Sequence, residues 1–250
     1  MARNEGKQPV GYVTSKEAAR RGLRDALGAP ALMVLTGMMG FGTLAADTGI
    51  SFIGSLVASA GIWGLPGQIA MAEFYAAGAG AIAIAVAVSV ANARFMPMAM
   101  VMFPMMRGGI RHPAHSYGLV QLMSVNSWAV CNVAFPTIPP EHRVRYYTAF
   151  ALTLVVVGQV GTALGYFAVG VMPRLVTLGL LFLNPCYFAL LFAGTRVPAY
   201  ITALVLGAVA GPLVYTLIPD WSLLVTGLVA GTVAYLLAPA GGGSPEAKPE

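Results

Sequence analysis

Few side chains in this sequence can do chemistry, and those that can are set among apolar residues. Gln68 and Glu73 follow the stretch Gly64-Leu65-Pro66-Gly67. Asn92 and Arg94 are separated by one alanine, and Asn184 precedes Pro185. A charge at the centre of a membrane helix costs about 2.5–3.5 kcal/mol on insertion scales, so it persists where it is paired or faces a cavity. Pro66 has no N–H and Gly67 bends freely, so a helix must break there. A new helix starting near Gln68 would present free backbone N–H groups and the positive end of its dipole, which can bind a carboxylate. The Gln68 amide can donate to the same group. Glu73, one to two turns on, could hold an ammonium group, carry a coupling proton or pair with Arg94. In a helix that is merely kinked it would instead reach the interface. Arg94 could clamp a carboxylate through two parallel hydrogen bonds or serve as a structural partner for Glu73 or for helix-end carbonyls. Asn184-Pro185 would supply a second break and the other half of a site.

Other reactive residue types point to no chemistry. His112 and His115 lack a third ligand nearby, and His142 lies in a loop sequence, so no metal is expected. Cys131 and Cys186 are isolated in apolar stretches and read as small apolar side chains. No phosphate-binding loop, nucleophile elbow or zinc-protease motif is present. The chain is therefore not expected to be an enzyme or to carry a cofactor.

The elements that must position these residues are apolar. Of 250 residues, 58% are hydrophobic and 9% charged, and the mean hydropathy is +0.76, against about 25% charged in soluble domains. The expected fold is an all-α polytopic membrane protein. At about 20 residues per span there is room for about 7–9 membrane segments with broken helices. Residues 1–28 form a basic arm in which 16–28 could be an amphipathic helix on the cytoplasmic leaflet or simply a solvated arm. Residues 29–238 form one transmembrane domain, and 239–250 a flexible tail. Arg3, Lys7, Lys16, Arg20, Arg21 and Arg24 precede the first span and point to a cytoplasmic N-terminus, with no nucleic-acid partner. With nine crossings, Arg107, Arg111 and Arg174 join them inside, and Arg143, Arg145, Arg196 and Lys248 fall outside.

A faint repeat relates 29–135 to 147–238. Gly37-x-x-Gly40 and the break at Pro66 match Gly158-x-x-Gly161 and LNPCYFALLFAG at similar spacing. If real, it would be inverted, with substrate held between paired breaks at mid-membrane; chance in a Gly/Ala-rich chain is the alternative. Gly161-x-x-x-Gly165, Gly207-x-x-x-Gly211 and Gly227-x-x-x-Gly231 suit close helix packing.

RRGLRDALGAP followed by GFGTLAADTGIS, then GLPGQIAMAEF, then VANARFMPMA, resembles in content and order the AzlC family, the large subunit of branched-chain amino-acid permeases. The resemblance covers roughly residues 20–235. It implies export of leucine, isoleucine, valine or methionine and a small second membrane subunit of the AzlD type, and it matches Gln68 to the family's glutamine after the break and Asn92 and Arg94 to its asparagine–any–arginine element; the expected location is a bacterial cytoplasmic membrane. Two departures stand out: Val125 and Asn126 occupy positions where many relatives carry acids, and Phe95 replaces a frequent histidine. The resulting expectation is a secondary transporter of hydrophobic amino acids whose substrate-binding residues are Gly67, Gln68, Glu73, Asn92, Arg94 and Asn184. The alternatives are a non-transporting membrane scaffold and a channel for another small solute.

Overall fold

The computed structural model describes residues 14–110, 112–169, 175–176, 179, 182–183, 186, 198–218 and 222–237. Among them there is no strand. Residues up to Asn184 form one compact unit and those from Pro185 another. The first contains α1 (Ser15–Ala26), α2 (Ala29–Asp47), α3 (Phe52–Gly61), α4 (Leu65–Ala76), α5 (Ala81–Asn92), α6 (Phe95–Met106), α7 (Pro113–Gln121), α8 (Val125–Ala134) and α9 (Pro140–Phe167). Short 3₁₀ turns follow α6 and α8.

The expected 7–9 membrane segments are not found. Among the described residues, two helices, α2 and α9, are long and apolar enough to cross a membrane, or up to four spans if each bent pair, α5–α6 and α7–α8, counts as one. A contiguous apolar run is not a contiguous helix. Breaks at Gly64 and Pro66, at Gly78 and Gly80, at Ala93-Arg94 and at Ser124 cut the chain between α2 and α9 into helices of 9 to 12 residues. At 1.5 Å per residue each covers roughly half of a hydrocarbon core about 30 Å thick. The apolar stretch 175–194, with Asn184-Pro185 and the LNPCYFALLFAG segment of the second repeat copy, lies largely outside the described residues.

The seam between α2 and α9 is built from small residues. A Cβ on Gly161 would lie 2.6 Å from the Leu35 carbonyl oxygen. One on Gly165 would strike the Met39 carbonyl, and one on Gly42 the Thr162 carbonyl. The Thr43 hydroxyl donates across the seam to the Gly165 carbonyl at 3.0 Å. Gly161-x-x-x-Gly165 thus does what its spacing suggested, letting two backbones touch where lipid tails give helices no hydrophobic reason to associate.

The same seam fixes direction. Val34 and Trp63 pack at Gly158, Leu35 and Met38 at Gly161, and Met39 at Gly165, so α2 and α9 run the same way. Helix α1 precedes α2 along the first turns of α9. It starts with a Thr14–Glu17 capping box, buries Ala18, Gly22 and Ala26, and seats Gly22 against the Tyr146 backbone. Tyr146 donates to Asp25 at 2.8 Å and Arg21 to Thr137 at 3.0 Å. The arm expected on the leaflet or in solvent is, over these residues, part of the packed unit.

Arg143, in the first turn of α9, gathers this end. Its guanidinium donates to the carbonyls of Phe135 (3.1 Å), Ile138 (3.0 Å) and Met105 (2.9 Å), and Gly108 and Gly109 pack on Pro140 and Val144. The ends of α6 and α8 therefore lie beside the start of α9. Lys16, Arg20, Arg21, Arg24, Arg107, Arg143 and Arg145 share that end, so Arg143 and Arg145 lie on the side of the arm, not opposite it. At the other end the Phe52 ring meets Tyr166 and Phe167 at 5.3 and 4.9 Å. At that end the charges are acidic among the described residues from α2 to α5: Asp47 closes α2 and Glu73 lies in the last turn of α4.

The second unit contributes α10 (Pro198–Leu217) and α11 (Ser222–Leu237), packed on each other. A Cβ on Gly211 would make ordinary contact with Thr226, and Gly207, Gly227 and Gly231 face open space. Those two glycine spacings do not mark a close crossing among the described residues.

Candidate functional site

The α3–α4 break lies against the middle of α9, where Trp63 packs on Gly158 and Ser59 meets Thr162 hydroxyl to hydroxyl at 2.9 Å. Helix α3 begins with Ser51, whose hydroxyl accepts from the Gly54 N–H at 3.1 Å. It runs down α9 from Phe52 to this level and stops. Gly64 is extended, its N–H turning back onto the Ile62 carbonyl, and α4 restarts at Leu65 with Pro66 in its first turn, where a missing N–H costs nothing. Leu65 lies against Gly37, while Ala72 shares a cluster with Phe41, Ala45 and Ile50. Helix α4 therefore climbs back towards the end from which α3 came.

A helix end leaves backbone groups to be satisfied, and here side-chain amides satisfy them. The Gln68 amide donates to the Ser59 carbonyl at 3.4 Å. The Gln121 amide, from the end of α7, donates to the Ala60 and Gly61 carbonyls at 3.1 and 2.8 Å. On the α4 side the Gln68 N–H bonds the Gly64 carbonyl at 3.0 Å, so the helix starts one turn earlier than expected. Its unclaimed donors are the N–H groups of Leu65 and Gly67, with no side-chain cap.

Over this helix start lies Asn92. A Cβ on Gly67 would fall 2.6 Å from Asn92 Nδ2, and one on Gly64 2.7 Å from Asn92 Oδ1 and 2.8 Å from the Phe95 ring. These glycines are therefore the space the amide occupies. Asn92 arrives because α5 runs antiparallel to α4 after a turn at Gly78, whose φ of +72° suits glycine. Buried and without a hydrogen-bond partner are Gln68 Oε1, Asn92 Oδ1 and Trp63 Nε1, and Gln68 as a whole is 0% exposed. Leaving such an atom without a partner costs about 1–3 kcal/mol, so the two amide oxygens beside the α4 start, Gln68 Oε1 and Asn92 Oδ1, are acceptors open to a donor.

Of the six residues singled out from sequence, the structure brings together Gly67, Gln68 and Asn92. Arg94 stands at the 52° bend between α5 and α6, its guanidinium 5.3 Å from the centre of the Phe95 ring that covers Gly64. Glu73 is exposed on another face of α4, and no ion pair joins it to Arg94; the single ion pair among the described residues is Arg21–Asp25, at 3.7 Å. Asn184 lies outside the described residues. No cluster of His, Cys, Asp or Glu suited to a metal occurs among those described.

Sequence reasoning missed Ser59, Trp63, Thr162 and Gln121. Gln121 carried a usable signal, being an amide inside the apolar run SYGLVQLMSV, just as Gln68 is in its own. Asn126 and Asn132, further amides in apolar surroundings, lie on α8. Asn132 donates to the Trp128 carbonyl at 2.8 Å, whereas Asn126 Oδ1 is buried without a partner.

Residues 30–172, more than half of the sequence, match the AzlC protein family. The chain belongs to the AzlC family. All of the break, Asn92, Arg94 and the α2–α9 seam fall inside the match. Membership makes the chain a multi-pass membrane component with a transport role, not an enzyme. No curated protein and no solved structure matches the chain.

Proposed function

We propose that this AzlC protein is a secondary transporter, working as an exporter, of hydrophobic amino acids: leucine, isoleucine, valine and methionine. The carrying observation is the start of α4, where free N–H groups and unpartnered buried amide oxygens lie together. A zwitterion needs both kinds of partner. Its carboxylate would take the N–H groups of Leu65 and Gly67 with Trp63 Nε1, at the positive end of the α4 dipole. Its ammonium group would satisfy Gln68 Oε1. Asn92 would orient the carboxylate, and Arg94 would hold the bend through Phe95. Glu73, on the exposed face, is left out of binding. Neutral recognition suits a substrate with no net charge, since no buried ion must be carried by the protein. Family resemblance supports the apolar side chain and a small AzlD-type partner subunit. Gathering the basic residues at the α1 end supports placing that end, with the N-terminus, on the cytoplasmic side of a bacterial inner membrane.

The test is export of intracellular valine and methionine from cells expressing Gln68→Ala, Asn92→Ala or Glu73→Gln at matched protein levels. Export should be lost in the first two and kept in the third. Undiminished export by Gln68→Ala and Asn92→Ala would remove this helix start from the mechanism.

A further inference from the structure

The partner of the α3–α4 break is the end of α7. Helices α7 and α8 are bent by 112°. They are entered from Gly108 and Gly109 beside Pro140 and Val144, and they exit at Phe135 and Ile138 beneath Arg143. Both ends of the pair therefore lie at the start of α9. Both ends of the α3–α4 pair lie at the finish of α9, since the Phe52 ring meets Tyr166 and α4 climbs alongside α2. Because α2 and α9 run the same way, the chain between them must return across the membrane an odd number of times. The α5–α6 pair does this once, from the Gly78 turn to the Met105 carbonyl under Arg143. What remains is two re-entrant hairpins from opposite faces, and they touch where the Gln121 amide meets the Ala60 and Gly61 carbonyls.

That contact has the chemistry of the substrate's own amino group. One nitrogen donates two hydrogen bonds to two consecutive carbonyls at the negative end of a helix, next to the Ser59 carbonyl that Gln68 already holds. Ala60, Gly61 and Gln121 are exposed, while Gln68, Trp63 and Gly67 are buried, so the two carbonyls lie at the rim of the contact and the α4 start lies inside it. We propose that Gln121 occupies the place of the substrate ammonium group. Binding of an amino acid displaces it and releases the α7–α8 hairpin from the α3–α4 hairpin, so occupancy opens the side on which α1 lies. This rests on the zwitterion reading given under Proposed function and adds the gate to it. An ammonium group outcompetes an amide here because its hydrogen bonds are charge-assisted and lie at the carbonyl end of a helix dipole.

The experiment compares binding of radiolabelled leucine and of 4-methylpentanoate, which lacks the amino group, to the purified full chain and to Gln121→Ala and Gln121→Leu. Removing the competing amide should tighten leucine binding by about tenfold, the worth of one to two neutral hydrogen bonds, and leave 4-methylpentanoate unchanged. Leucine binding that is unchanged or weakened in both variants overturns the gate while leaving the transport reading intact. Failure of the wild-type chain to bind either ligand overturns both. A second measurement tolerates variants that fold poorly: a Gly61→Cys/Gln121→Cys pair, with Cys131→Ala and Cys186→Ala, is oxidised with and without saturating leucine. Cross-linking should fall when leucine is present; cross-linking that leucine does not alter overturns the displacement.

Discussion

At the scale of single residues, the site is an arrangement of neutral groups around absent side chains. Gly64 and Gly67 matter because the Asn92 amide fills the volume a Cβ would need. Gly67→Ala should destabilise the protein by about 1–3 kcal/mol, the usual cost of overpacking, read as a drop in melting temperature in detergent. Adding Asn92→Ala should restore the melting temperature and leave export abolished. Gln68 offers the opposite signature. Its Oε1 is buried without a partner, so Gln68→Leu removes an unmet acceptor worth about 1–3 kcal/mol while breaking one long hydrogen bond worth about 0.5–1.5. We expect a melting temperature equal to or above that of the parent, together with loss of export. A clear fall in stability would show that the amide is a structural member alone. The break itself was legible in the sequence, because proline and glycine act on their own backbone. The company it keeps was not, because the approach of Asn92 and Gln121 depends on how distant helices return.

At the scale of elements, short helices do what long ones were expected to do. Hydropathy counts apolar residues without regard to direction, so it allowed about 7–9 crossings where the described chain between α2 and α9 folds into half-length helices. Direction is set instead by tertiary ties, and Arg143 is the clearest. It bonds three carbonyls from the ends of α6 and α8 and lies 5.7 Å from the centre of the Phe135 ring. Arg143→Lys keeps the charge but cannot span three acceptors with a rigid fork. It should cost about 1.5–3 kcal/mol, the range for hydrogen bonds to a charged group, measured by thermal unfolding in detergent. On the seam, Gly165→Ala should prevent accumulation of folded protein, since the added carbon meets backbone that cannot swing aside. Thr43→Val, which loses one interhelical hydrogen bond, should cost only about 0.6 kcal/mol.

At the scale of the whole molecule, topology becomes a labelling experiment. With native cysteines removed, single cysteines at Lys16, Gly108 and Arg145 should react with a membrane-impermeant thiol reagent from one face. Cysteines at Thr48 and Ala79 should react from the other. Reaction of position 108 on the same face as position 48 would reverse the assignment of α5–α6 as a crossing. The charge distribution agrees with this arrangement: seven basic residues, Arg143 and Arg145 among them, cluster at one end. The α2–α9 seam has a further consequence for motion. Its backbones touch through Gly42, Gly161 and Gly165, and Thr43 pins the register. A bearing without clearance cannot slide, so this pair is the stator of the machine. Any stroke that carries solute across must be made by the six half-length helices around it, and inhibitors of the cycle should be sought as wedges between the two hairpin tips.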